Sequence, residues 1–117
     1  MKGRIIKFIK KVLGFLGFHP TKRISPWRIL IAVADAFEIR KDWIVRSSRK
    51  RCHVIPRHVF FYLCRTLLPR TALQAITQTA NRKSHTTVLY GIKSIKRRMR
   101  SDHELSDRIN QIRNSLE

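Results

Sequence analysis

From Ser25 to the C-terminus, apolar residues recur three and four positions apart, and no stretch alternates apolar with polar. That periodicity predicts helices throughout and no strand. Ser25-Pro26 reads as a cap followed by a first-turn proline, opening a helix with Ile29, Leu30, Val33 and Phe37 inward and Ala34 and Ala36 as small neighbours. The turn "RKDWIV" adds Trp43 and Ile44 to the expected core. "RSSRKRCHVI" is basic and weakly periodic and reads as a loop, after which Pro56 opens a helix with Val59, Phe60, Leu63, Cys64 and Leu67 on one stripe. Pro69 ends it. Thr71 and Gln74 have capping-box spacing ahead of "ALQAITQTA", which "NRK" interrupts. Ser84 caps the next helix, burying Val88, Ile92, Ile95 and Met99. Ser101 and Glu104 read as a second capping box, for a last helix with Leu105, Ile109, Ile112 and Leu116 inward.

The chain ahead of this has a different character. In residues 1–24, Ile5, Ile6, Phe8, Ile9, Val12, Leu13, Phe15 and Leu16 fill one half of a helical wheel, with Arg4, Lys7, Lys10 and Lys11 on the other. This is a basic amphipathic helix, interrupted too often by lysine to be a signal peptide or to span a bilayer. It can dock on the domain behind it, or lie on an anionic membrane surface through residues 4–16. The expected organisation is therefore this helix and a linker over 1–24, then one compact all-α domain over 25–117.

Charge narrows the function. The 117 residues carry 26 Lys and Arg against 7 Asp and Glu, a formal +19, and neither residues 1–34 nor residues 81–101 contain an acid. An excess of that size is tolerable when the partner is a polyanion. A protein directed only at membranes would need only a basic head, yet 19 of the 26 cations follow residue 24. RNA binding is disfavoured because no strand platform for base stacking is predicted. Scarce carboxylates and scattered histidines suggest no enzyme, and neither a cofactor nor a small-molecule substrate is implied. Cys52 and Cys64 lack the spacing of a disulfide framework, so a reducing cytoplasm is expected. A zinc site would recruit Cys52, His53, His58 and Cys64, whose spacing matches no common ligand pattern.

A short helix, a turn and a longer basic helix describe a helix-turn-helix, whose second helix enters the DNA major groove. His85, Thr86 and Thr87 stand at the tip of that second helix, where base edges are read. Lys83, Lys93, Lys96, Arg97 and Arg98 lie before or along it, suited to phosphates. The competing reading is that the threonines merely satisfy the orphan amides of a helix start.

From Trp27 onward the chain resembles the C-terminal DNA-binding domain, domain IV, of bacterial replication initiators of the DnaA family. The residues that carry the resemblance are "ILIAVADAFEI", "SSRKR" followed by "PRHVFFYLCRTLL", and "SHTTVLYGIKSIKRR", which corresponds to the family's Asp-His-Thr-Thr-Val signature and basic helix. The resemblance implies that Arg49, within the basic loop that continues through Lys50 and Arg51, enters the minor groove. It further implies that Arg57 and Arg65 hold phosphates, that His58 is a polar contact beside Arg57, and that His85, Thr86 and Thr87 read the major groove of double-stranded DNA.

Ser84 replaces the family's acidic residue, and "ANRKS" replaces its glycine-rich turn, where Asn81 can supply a left-handed residue. No phosphate loop of the G-x-x-x-x-G-K-[ST] type is present, so a stand-alone DNA reader at DnaA-box-like sites, regulating replication or transcription near the nucleoid, is expected. The alternative is a membrane-associated cationic protein using the head helix.

Overall fold

The computed structural model describes residues 24–117, which form six helices and no strand: α1 (Pro26–Ala36), α2 (Lys41–Val45), α3 (Arg51–Leu67), α4 (Leu73–Thr79), α5 (His85–Ser101) and α6 (His103–Leu116). The amphipathic head read over residues 4–16 lies outside the described residues. No described helix is long and apolar enough to cross a membrane.

α3 is the central element. It packs on α1, α2, α5 and α6, most extensively on α5, while α4 bridges α1 and α5. Val59, Phe60, Phe61, Leu63 and Cys64 of α3 are completely buried, against Ile29 and Val33 of α1, Ile44 of α2, Ile76 of α4, Val88 and Ile95 of α5, and Ile109 of α6. Each large apolar side chain removed from water in this way contributes about 1.5–3 kcal/mol. Burial raises the Cys64 thiol well above its ordinary value, as befits a core residue. Among the described residues no three His, Cys, Asp or Glu side chains cluster as a metal site.

Three boundaries differ from the sequence expectation. α3 begins at Arg51 rather than Pro56, so the segment expected to be loop supplies its first turn and Pro56 sits inside the helix. Tertiary contact overrides the weak periodicity there: His53 is buried and stacks on Trp43, with ring centroids 4.6 Å apart. The Thr71/Gln74 box does not form, since Ala72 is the N-cap of α4 and no side chain caps it. Ser101 belongs to α5, and Asp102 caps α6 instead, its Oδ1 accepting from the Leu105 amide at 3.0 Å. A carboxylate at the positive end of a helix is the better cap electrostatically. The other two caps are as expected, with Ser25 accepting from the Arg28 amide and Ser84 from the Thr86 amide.

Among the described residues, two turns reverse the chain by a left-handed residue, and neither uses glycine. Glu38 and Asn81 stand at φ 55° and 54°. After α4, the Arg82 amide donates to the Thr77 carbonyl at 2.8 Å and the Asn81 amide to Gln78 at 3.0 Å. This Schellman closure stops α4 and sets the direction in which α5 departs. Asparagine tolerates the left-handed region because its short amide interacts locally, so the turn forms without the family's glycines.

Candidate nucleic-acid interface

Ser84 accepts the Thr86 amide at 3.1 Å, so the cap of α5 is provided by serine and not by the threonines. Thr86 and Thr87 are exposed, and among the described residues neither hydroxyl has a hydrogen-bond partner in the protein. The contrast is with Thr77 and Thr79 of α4, whose hydroxyls donate back to the Leu73 and Ala75 carbonyls. His85 is exposed beside them. Thr86, Lys93 and Arg97 fall on one solvent-facing stripe of α5, because seven and eleven residues are close to whole numbers of helical turns. Lys96 shares the neighbouring exposed stripe with His85 and Leu89. Leu89 and Tyr90 are exposed large hydrophobics, unexpected on so cationic a surface.

A second cationic segment is the basic loop ahead of α3. Arg46 lays its guanidinium over the Trp43 ring at 4.7 Å, on a ring that His53 also stacks against. Ser48 Oγ is hydrogen-bonded to His53 Nδ1 at 2.8 Å and accepts the Lys50 amide at 3.2 Å. Arg49, Lys50 and Arg51 are exposed, so this held backbone presents three consecutive cations to solvent. Lys83 is exposed in the turn before α5, and Arg65 is exposed in the last turn of α3, with no contact that ties it to either group.

Arg57 and His58 depart from the reading as surface contacts. Arg57 is only 6% exposed, and its Nε donates to the Ile44 carbonyl at 2.7 Å, Nη1 to Ser48 at 3.0 Å and Nη2 to Arg46. All three guanidinium nitrogens are spent on the chain that leads into the basic loop, so the residue shapes that loop from behind. Burial, and then the nearby Arg82 charge, lower its pKa to about 10, which leaves it charged at neutral pH. The sequence offers no carboxylate between Asp42 and Asp102, so carbonyl dipoles stand in for a counter-ion. His58 faces α5, with its ring near Phe61 and edge-on to Tyr90 at 6.1 Å.

Two further residues stand beside the candidate interface and escaped the sequence reading. Gly91 is buried where α5 crosses α3, and a Cβ there would lie 2.7 Å from Phe61 Cδ2 and 2.8 Å from His58 Cδ2. Its signal was available, since a glycine inside a helix is unfavourable unless something needs the space. Arg82 donates through Nη2 to the Arg46 carbonyl, joining the turn before α5 to the basic loop. One more arginine in a basic run gave no warning of that role.

The buried imidazole makes stability depend on pH. Burial first, then the Arg57 and Arg98 charges, lower the His58 pKa from 6.5 to about 4. The folded state therefore favours the neutral ring, so its contribution is complete above pH 6.5 and is lost as pH falls from there toward 4. Unfolding at pH 5 should cost about 1–2 kcal/mol less than at pH 7 on this account. Denaturant melts of wild type and His58→Phe check it: the variant should show a flatter profile between pH 7 and 5, and identical slopes would assign the acid sensitivity elsewhere.

The comparisons with known proteins agree with this geometry. The family described as the bacterial dnaA protein helix-turn-helix matches residues 26–95. A chromosomal replication initiator protein DnaA of Thermus thermophilus is 35% identical over 89 residues, 76% of this chain and 20% of its own. DnaA 2 of Chlamydia pneumoniae is 33% identical over 109 residues, 92% of this chain and 24% of its own. The counterpart from Geobacter metallireducens is 27% identical over 115 residues, 98% of this chain and 25% of its own. The chain thus spans a fifth to a quarter of the length of these relatives. By a match that runs from the start of α1 through most of α5, this chain belongs to the bacterial DnaA helix-turn-helix family.

Proposed function

We propose that residues 24–117 bind double-stranded DNA in a sequence-specific manner, at sites like the DnaA box. The observation that carries this reading is the tip of α5, where two exposed threonine hydroxyls are without protein partners because a serine already caps the helix. A threonine freed from capping can offer its hydroxyl to a base edge and its methyl to thymine, and His85 beside it can donate to or accept from a purine. Ser84 contributes through the cap and stands nearest the base that the family's acidic residue would address. Lys83, Lys93, Lys96 and Arg97 hold phosphates, joined by Arg65, while Arg49 enters an A·T-rich minor groove whose narrowness concentrates negative potential. Lys50 and Arg51 extend that loop's contact to the backbone. Leu89 supplies apolar contact to thymine methyls, which explains its exposure on a cationic helix.

The work we assign to the chain is regulatory: occupying such sites near the nucleoid, and so competing with a full initiator or controlling a nearby promoter.

The test separates sequence from affinity. Thr86→Ala should reduce the preference for a DnaA-box duplex over a scrambled one by about 1–3 kcal/mol, with the melting temperature unchanged because no protein bond is lost. Lys96→Ala should weaken binding equally on both duplexes and lower the salt slope by about one charge. A Thr86→Ala protein that discriminates as well as wild type would contradict the assignment of α5 as reader.

A further inference from the structure

The Arg46 carbonyl receives two guanidinium groups, from Arg57 of α3 and from Arg82 of the turn between α4 and α5. The second of these links parts of the chain that are 36 residues apart. Its position is specific. Arg82 follows Asn81 in the closure of α4 and precedes Ser84, the cap of α5, by two residues. On the other side, Arg46 opens the segment whose Ser48 is held by Arg57 and His53 and whose Arg49 is exposed.

We propose that Arg82 is a positioning residue, whose bond to the Arg46 carbonyl locks the basic loop to the turn that aims α5, presenting Arg49 and the His85–Thr87 tip as one rigid unit. The two arginines repel one another, so holding both on one carbonyl has an electrostatic cost that the joined geometry must offset. A single phosphate contact would need no such arrangement, because a lysine or arginine pointing outward serves it.

The inference rests on the DNA-binding reading for its consequence, though not for its geometry, and its test has two readouts. Arg82→Met keeps the aliphatic stem and removes the donor. In the DNA-free protein, amide exchange at Arg46 and Lys50, whose amides are bonded to the Asp42 carbonyl and Ser48 Oγ, should accelerate about tenfold, with the melting temperature unchanged. On a box duplex, Arg82→Met should weaken binding about five- to tenfold in an otherwise wild-type chain and less than twofold when Arg49→Ala is already present. Unchanged exchange would overturn the proposal. Equal losses in both backgrounds, with a lower salt slope, would instead make Arg82 an independent phosphate contact. If the wild-type chain shows no box preference the DNA reading fails, and the exchange measurement alone then decides whether Arg82 holds the loop.

Discussion

Gly91→Val should lower the melting temperature by roughly 10–20 °C, corresponding to about 3 kcal/mol in a domain of this size. Helix propensity alone argues for the opposite sign, since glycine is disfavoured inside a helix by about 1 kcal/mol relative to alanine. Packing decides the outcome. The first added carbon would sit at 2.7 and 2.8 Å from two ring atoms of α3, closer than real side-chain carbons approach. Those atoms belong to Phe61 and His58, both buried, so neither ring can simply rotate away into solvent. α5 must therefore move outward from α3, opening the most extensive helix–helix contact of the domain. Gly91→Ala should show the same direction at smaller size, where propensity recovers part of the loss. Scanning calorimetry of both variants checks the prediction, and a melting temperature at or above wild type would mean that α3 and α5 are not in close contact at this point.

Arg57→Ala should destabilise the domain by about 2–4 kcal/mol and weaken DNA binding as well, although the side chain makes no outward contact. The cost arises from three carbonyls, those of Ile44, Arg46 and Ser48, losing a charged donor at once. Removing a buried cation recovers some desolvation energy and relieves repulsion with Arg82, which keeps the net below the sum of three broken bonds. Arg57→Lys should behave nearly as badly, because one ammonium on a flexible stem cannot reproduce the planar fork. Denaturant unfolding with parallel binding titrations distinguishes the alternatives. A lysine variant with wild-type stability and affinity would show that only a positive charge is needed there, and would restore the reading of Arg57 as a phosphate contact.

The legible parts of this protein were those where local chemistry and tertiary structure agree. α1 and α5 announced themselves through serine caps and an apolar stripe, and both caps form. The first turn of α3 was hidden because Arg51 and Cys52 are exposed and only His53 turns fully inward, so the apolar period fades there. Pro56 added to the misreading: proline favours the first helical position, yet here it is the sixth residue of α3. Cys52, whose carbonyl would have received the missing bond, is exposed to water, which softens a penalty of about 3 kcal/mol for an interior proline.

The site shows the same division. The exposure of the threonine tip was readable because its residue types are unusual on a cationic helix. The inward turn of Arg57 and His58 was not, because neighbours on α3 share the core only once α2 and α5 enclose them. In a chain with 26 basic residues, composition cannot tell an arginine that touches DNA from one that shapes the loop that does.

Whether this domain reads DNA sequence is decided by fluorescence anisotropy of the purified chain on a DnaA-box duplex and a scrambled duplex across a salt series. Both affinities should fall steeply as salt rises, because counterions are released from the phosphates. A sequence reader should prefer the box by about tenfold or more, equivalent to about 1.4 kcal/mol, and keep that preference at the higher salt concentrations. Equal affinities that fade together would contradict it, leaving a cationic domain that coats DNA without reading it.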